Sequence, residues 1–388
     1  MPAGLVTRMQ GFGTTVFAEM TALARATGAV NLGQGFPDTD GPDELLEAAV
    51  AALRGHEHNQ YPPPRGVPQL REAIAAHQRD WYGLDVDPDA EVLVTTGATE
   101  AIAVAVLALC EPGDEVVTLE PYYDSYAASV ALAGAVRRPV PFGPGFSLDA
   151  AALEAAVTGR TRLVLLNTPH NPTGRVLDRT ELEAVADVAR RHDLVVVTDE
   201  VYEHLVLDDD ARHVPLASLP GMAERTLTVS SAGKTFSVTG WKIGWVHGPA
   251  ALVDALAAVK QFVTFVSGGP LQPAVAGALG WPREFFAEQA ADLARRRDVL
   301  CEGLVDAGFD VVVPQATYFV LADAAPLGYP DGLELCRRLP ELAGVVGVPV
   351  QAFADDVEPV RSLVRFAFCK REDVLAEAVR RLRRLRRA

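Results

Sequence analysis

The sequence predicts an α/β protein: a large part built on a mostly parallel sheet, followed by a smaller α+β part. Three observations carry this. From residue 92 onward, short apolar runs alternate with helical stretches. Those runs are apolar throughout, without in/out alternation, which is how strands covered on both faces read. After about residue 284 the texture changes to one long amphipathic helix followed by short strands. A chain of 388 residues, at roughly 150 per domain, accommodates two such parts, and the expected division is 45–283 for the large one and 1–44 with 284–388 for the small one.

Taken in order, EVLVTT (91–96) reads as a strand and TEAIAVAVLALC as a helix; EVVTLE (115–120) is a strand and SYAASVALAGA a helix. TRLVLLN (161–167) is a strand, ELEAVADVARRH a helix, and DLVVVTDE (193–200) and TLTVSS (226–231) are strands. A parallel sheet with crossover helices follows. In the smaller part, REFFAEQAADLARRRDVLCEGL is the long helix; FDVVV, TYFVLA and LVRFAF are strands, and a helix closes the chain. YPPPRGVP (61–68) reads as a rigid loop.

Composition excludes several classes of function. Hydrophobic residues make up 49% and charged residues 22%, enough for a large core and incompatible with disorder. The net charge is −16; residues 370–388 carry eight Lys/Arg against three Asp/Glu, which leaves −21 on residues 1–369. So acidic a body repels phosphate backbones, and nucleic acid is not an expected partner. The tail RRLRRLRR (380–387) reads as the solvated face of a terminal helix. Four scattered cysteines with no metal-ligand spacing suit reduced thiols, no metal and a cytoplasmic protein. The N-terminus lacks an export signal and no apolar run is long enough to span a membrane.

The chemistry concentrates at the ends of the apolar strands. Lys234, in Ser230-Ser231-Ala232-Gly233-Lys234-Thr235, follows a buried strand among small residues; a desolvated lysine there has a lowered pKa and serves as nucleophile and base. An exposed loop lysine is the alternative. Asp199, in Thr198-Asp199-Glu200-Val201-Tyr202, ends another strand, at the sheet edge where open α/β sheets bind ligands. It suits holding a proton on a heteroaromatic nitrogen, with Tyr202 donating to a phenolate; a helix-capping Asp beside a packed Tyr is the bland version. Asn167 and Asn171, in NTPHNPTG, present amides from a stiffened loop or merely form a turn. Gly97-Ala98-Thr99 opens a helix after a strand, where backbone N–H groups can cradle phosphate. Lys242 offers a second cation and Ser231 a hydroxyl for the same group. Tyr123, in PYY, could give a flat face for a ring to stack on. Arg365 lies within the apolar strand LVRFAFCK, a placement that asks for a carboxylate partner.

As a set, from VNLGQGFPD (30–38) to VRFAFCK (364–370), these residues resemble the class I/II pyridoxal-phosphate-dependent aminotransferases of fold type I. The resemblance implies that pyridoxal 5'-phosphate is the cofactor and that Lys234 carries it covalently and shuttles a proton. It implies that Asp199 faces the pyridine nitrogen, Asn171 and Tyr202 the O3' oxygen, and Tyr123 the ring. Gly97, Ala98, Thr99, Ser231 and Lys242 would bind phosphate, and Tyr61 would reach the phosphate of a neighbouring subunit's site in a homodimer. Arg365, Asn167 and the backbone of Gly35 would clamp the substrate carboxylate. TTVFAEM, NLGQGFPD and TGWKIGW look most like the kynurenine/glutamine/methionine branch, and more closely like bacterial N-succinyldiaminopimelate aminotransferases. Phe17 stands where the kynurenine enzymes place a Trp over the substrate, and Val266 where they place a ring-contacting His. The implied activity moves an amino group between an amino acid and a 2-oxo acid by a ping-pong mechanism, with cysteine-conjugate β-elimination as the alternative on the same cofactor. Arg65, beside Tyr61, is a candidate for a distal carboxylate, with a surface role as its alternative. Reading Ser231 to Lys234 as the SxxK of a serine acyl-transfer enzyme lacks a Lys-Thr-Gly or Ser-Asp-Asn downstream. Too few residues precede NLGQGFP for a fused DNA-binding module.

Overall fold

The computed structural model of the chain describes residues 4, 6–13 and 15–385. Seven strands form the large sheet: β1 Val92–Thr96, β2 Glu115–Glu120, β3 Val136–Pro141, β4 Thr161–Asn167, β5 Val195–Asp199, β6 Thr226–Ser231 and β7 Ile243–His247. Their order is β1-β7-β6-β5-β4-β2-β3, and only β7 runs antiparallel to its neighbours. The apolar runs lack alternation because both faces are covered. Leu163 and Leu165 of β4 pack on the side of helices α1 (Gly97–Leu109) and α2 (Asp124–Ala133). Val164 and Leu166 pack on the opposite side, against Leu182, Val185 and Ala186 of helix α3 (Arg179–Arg191). A capping box starts α3: Asp178 accepts from the Glu181 N–H, and the Glu181 side chain accepts from the Asp178 N–H.

Two strands of the large sheet escape the sequence reading. β3 is an edge strand with two arginines and two prolines and only Val140 buried, the composition edges tolerate and interior strands do not. β7 begins within TGWKIGW (239–245) and runs on to His247, a segment that reads more readily as a phosphate-binding motif than as a strand.

A second, antiparallel sheet has four strands, β8 Asp310–Val312, β9 Phe319–Asp323, β10 Val348–Pro349 and β11 Leu363–Ala367, in the order β10-β11-β9-β8. It shares one apolar core with the helix Val16–Thr27, with α4 (Arg283–Ala307), with Gly332–Ala343 and with α5 (Glu372–Leu382). The chain's first strand, Val30–Asn31, pairs in parallel with Val345–Val346, and Arg381 ties the carbonyls of Gly28 and Gly344 together. In α5, Leu375, Ala378 and Leu382 face the core while Arg380 and Arg383 face solvent and pair with Glu377 and Asp306; Arg386 and Arg387 of the predicted basic face lie outside the described residues. No helix of the described residues is long and apolar enough to cross a membrane, and all four cysteines are buried free thiols.

Candidate active site

A cavity of about 320 Å³ opens at the carboxyl ends of β4, β5 and β6, where α1 begins and where β11 of the second sheet approaches. Every residue predicted for the site lines it except Tyr61, Arg65 and Val266. The parallel strands account for this. Asn167, Asp199 and Ser231 are each the last residue of their strand, and Asn167 lies directly opposite Asp199 in the register.

Asp199 is buried. Its carboxylate accepts from the Tyr126 hydroxyl at 2.7 Å and the Val201 N–H at 3.3 Å. Burial outweighs both and pushes the acid up to about 6. Lys234 follows β6 in a short helical turn, and burial lowers its amine to about 8. The Lys234 amine donates to the Tyr318 hydroxyl at 2.8 Å, so its partner is that phenol and not Ser231. Tyr202 is buried beside Lys234, its ring centroid 5.7 Å from the amine, and burial pushes its phenol upward.

At the start of α1, Gly97 has φ +73°. A Cβ there would lie 2.9 Å from the Lys242 Nζ, and one on Gly244 would lie 2.5 Å from the Gly97 carbonyl carbon, so two glycines let the helix start meet β7. Lys242, itself left-handed at φ +55°, has no hydrogen bond or ion pair among the described residues. The first N–H groups of a helix have no intrahelical acceptor; here they share the cavity wall with Ser231 and that free cation.

Arg365 is 2% exposed and has no carboxylate partner among the described residues. It donates to Asn171 Oδ1 at 2.8 Å and to the Gly33 carbonyl at 3.3 Å, and its Nε has no hydrogen-bond partner. The guanidinium carbon lies 3.9, 4.7 and 5.3 Å from the ring centroids of Phe319, Phe353 and Phe17, and burial lowers the cation to about 10. This is an aromatic-walled socket around a cation with an unsatisfied donor, suited to receive an anion.

Two expectations meet a different arrangement. Asn167 spends both amide hydrogens on the carbonyls of Pro169 and Asp199, at 3.1 and 2.8 Å, and its oxygen accepts from the Asn171 N–H. It therefore braces the loop and has no donor left for a substrate carboxylate; Asn171 is the amide that faces Arg365. Arg65 is spent on Asp254 and the Ala90 carbonyl, which is the surface role. Tyr61 stands apart, 80% exposed and edge-on to Phe265. Sequence reasoning missed Tyr126 and Tyr318. Their signal was a tyrosine inside an apolar run, whose hydroxyl needs a buried partner.

Beneath the site, Glu203 accepts from Tyr82 and Ser230 at 2.7 and 2.6 Å, and His77 and His204 meet through their Nε2 atoms at 2.8 Å. These three acid and imidazole side chains form one buried group.

The chain matches the family model for class I and II aminotransferases over residues 27–382. A Mycobacterium tuberculosis protein named "Probable N-succinyldiaminopimelate aminotransferase" is 55% identical over 388 residues, with 97% of each chain aligned. The methionine aminotransferase of Escherichia coli is 38% identical over 379 residues, again with 97% of each chain aligned. Among solved structures, N-succinyldiaminopimelate aminotransferase from M. tuberculosis has a TM-score of 0.96 at 56% identity, covering 98% of this chain and 100% of that one. The chain belongs to the class I and II aminotransferases, with the fold type I architecture, and is a transaminase that uses pyridoxal phosphate.

Proposed function

We propose that this transaminase acts on N-succinyldiaminopimelate with 2-oxoglutarate as the partner oxo acid, and that its site is built from the residues lining the cavity. The observation that carries the site assignment is Arg365, a buried cation with an orphan N–H and no carboxylate of its own. The substrate follows the 55% identical relative, more similar than the methionine enzyme at 38%.

The residues present fit pyridoxal phosphate. The free Lys242 cation, Ser231 and the N–H groups at Gly97, Ala98 and Thr99 suit its phosphate. Asp199, a buried acid without a cationic neighbour in hydrogen-bond contact, suits a pyridinium N–H. Asn171 and Tyr202 suit the O3' oxygen, and Tyr123 the ring face. When bound, the cofactor supplies an electron-poor ring that draws in the electron pair of the cleaved Cα–H bond. Lys234 would tether it through Nζ, whose pKa burial lowers to about 8, so that the neutral amine is reached far more readily than in an exposed lysine. The freed Lys234 amine would be the base that takes the proton from the substrate Cα and returns it on the cofactor side. Arg365, with Asn171, grips the α-carboxylate and fixes which bond faces that amine; Phe17 and Phe353 keep water from the grip. Asn167 holds Asn171 and Asp199 in place from behind.

In this reading residues 45–283 carry the cofactor, while 1–44 and 284–388 bring Phe17, Gly35 and Arg365 to it. The active unit is a cytoplasmic homodimer in which Tyr61 serves the neighbouring site. Support for the dimer is the apolar surface around Tyr61, with Phe262 90% exposed nearby in the sequence of its partner Phe265.

The test is a half-reaction panel with the cofactor-loaded enzyme, following loss of the visible band with N-succinyldiaminopimelate, methionine, glutamine, kynurenine and aspartate. The succinylated substrate should react fastest. Equal, feeble responses to all five would remove the substrate assignment, and multiple turnovers by Lys234→Ala would remove the site assignment.

A further inference from the structure

Lys234 borders two cavities. One is the active-site cavity; the other, about 280 Å³, is lined by Pro37, Gln289, Tyr318 and Cys369 as well as Lys234. Tyr318 lines the second, 2% exposed, at the entry to β9. Its hydroxyl accepts from the Lys234 amine at 2.8 Å and donates to the Gly35 carbonyl at 2.7 Å.

A phenol has one hydrogen. Burial pushes the Tyr318 phenol well up, so it keeps that hydrogen. With that hydrogen on Gly35, the oxygen accepts from Lys234, and the Tyr202 hydroxyl is its remaining hydrogen-bonding neighbour. The contact depends on a close approach. A Cβ on Gly35 would lie 2.4 Å from Phe319 Cζ, so only glycine lets this carbonyl come so near β9.

We propose that Tyr318 is a positioning residue that receives the free Lys234 amine and orients its lone pair during proton transfer. The proposal rests on the role proposed above for Lys234. A primary amine has two hydrogens and one lone pair, and rotation about the terminal bond scrambles them. Anchoring one N–H on Tyr318 confines the lone pair to part of its arc. Lys234 gains a proton from the substrate and gives it up again; Tyr318 stays protonated throughout, so no net proton passes to it. The Gly35 carbonyl places the lysine's holder in one hydrogen-bonded chain with the segment that borders the substrate.

The test is Tyr318→Phe in the full-length enzyme, read in two ways. In the cofactor-loaded protein, the single half-reaction is timed with ordinary and Cα-deuterated amino acid. The rate should fall about 10- to 100-fold, the isotope effect should rise, and KM should stay essentially unchanged. In the cofactor-free protein, the rate of recombination with pyridoxal phosphate is followed against pH. The wild-type midpoint should lie near the lysine's value of about 8, and that of Tyr318→Phe lower, because the lost oxygen favours the ammonium form. A variant with unchanged isotope effect and unchanged midpoint, whatever its rate, has lost only packing, and the proposal is overturned. If Lys234→Ala recombines like the wild type, the reading of Lys234 fails first, an outcome distinct from failure at Tyr318 alone.

Discussion

Replacing Asp199 with Asn should stabilise the cofactor-free protein while crippling the enzyme. In the empty site the carboxyl is buried, and its pKa rises from 3.8 to about 6. A folded-state value above the unfolded one means that the folded chain holds the proton more tightly. The contribution to stability is fully present below the unfolded pKa, and is lost as pH rises through the folded one. A gap of about two units at ~1.4 kcal/mol each makes the ionised carboxylate cost the empty fold about 3 kcal/mol above pH 7. Asn is neutral and nearly isosteric, and its oxygen can still accept from Tyr126 or the Val201 N–H. Urea unfolding of both cofactor-free proteins across pH should therefore show Asp199→Asn more stable by about 2–3 kcal/mol above pH 7, with the advantage fading as pH falls through 6 towards 4. With cofactor bound the sign reverses, because the partner of the pyridinium is gone, and kcat should drop by about 10²–10³. A stability difference that does not change between pH 4 and 7 would refute the linkage, and a wild-type kcat would refute the assignment.

Arg365→Met removes two charge-assisted hydrogen bonds to a carboxylate, worth about 1.5–3 kcal/mol each, so kcat/KM for amino acids should fall about 10²–10⁴-fold. Its unfolding midpoint should barely move, since losing the bonds to Asn171 and Gly33 is offset by removing a buried cation that has no carboxylate partner among the described residues; steady-state kinetics and denaturation measure the two halves. Glu203→Gln leaves Tyr82 or Ser230 facing an amide in place of a carboxylate, and urea unfolding should show a loss of about 2–4 kcal/mol. Mixing Tyr61→Ala with Lys234→Ala chains, then allowing them to exchange, should give more activity than the sum of the two parents, because one site in each mixed dimer is intact; no gain would place Tyr61 outside the site.

The central sheet was legible where burial alone decides the sequence. EVVTLE and TRLVLLN are strands over the residues read for them, because strands covered on both faces must be apolar at every position. β3 was not legible: an edge strand is free to carry arginine and proline, and Arg138 there serves the buried Glu115 carboxylate across the strand pair. The members of the site sit at strand ends, which a sequence shows. Their hydrogen-bond partners do not appear in it. That Asn167 would spend its amide on backbone carbonyls depends on β4 and β5 lying in register. Tyr126 and Tyr318 reach Asp199 and Lys234 from 73 and 84 residues away, separations that no local pattern encodes.

The parallel pairing of Val30–Asn31 with Val345–Val346 bears on how the protein is born. The helix Val16–Thr27 buries Met20 and Ala24 against segments that lie some three hundred residues later. On a ribosome adding about 5–20 residues per second, that wait lasts about 15–60 s. Throughout it the apolar face of that helix lacks most of the core that covers it in the finished fold.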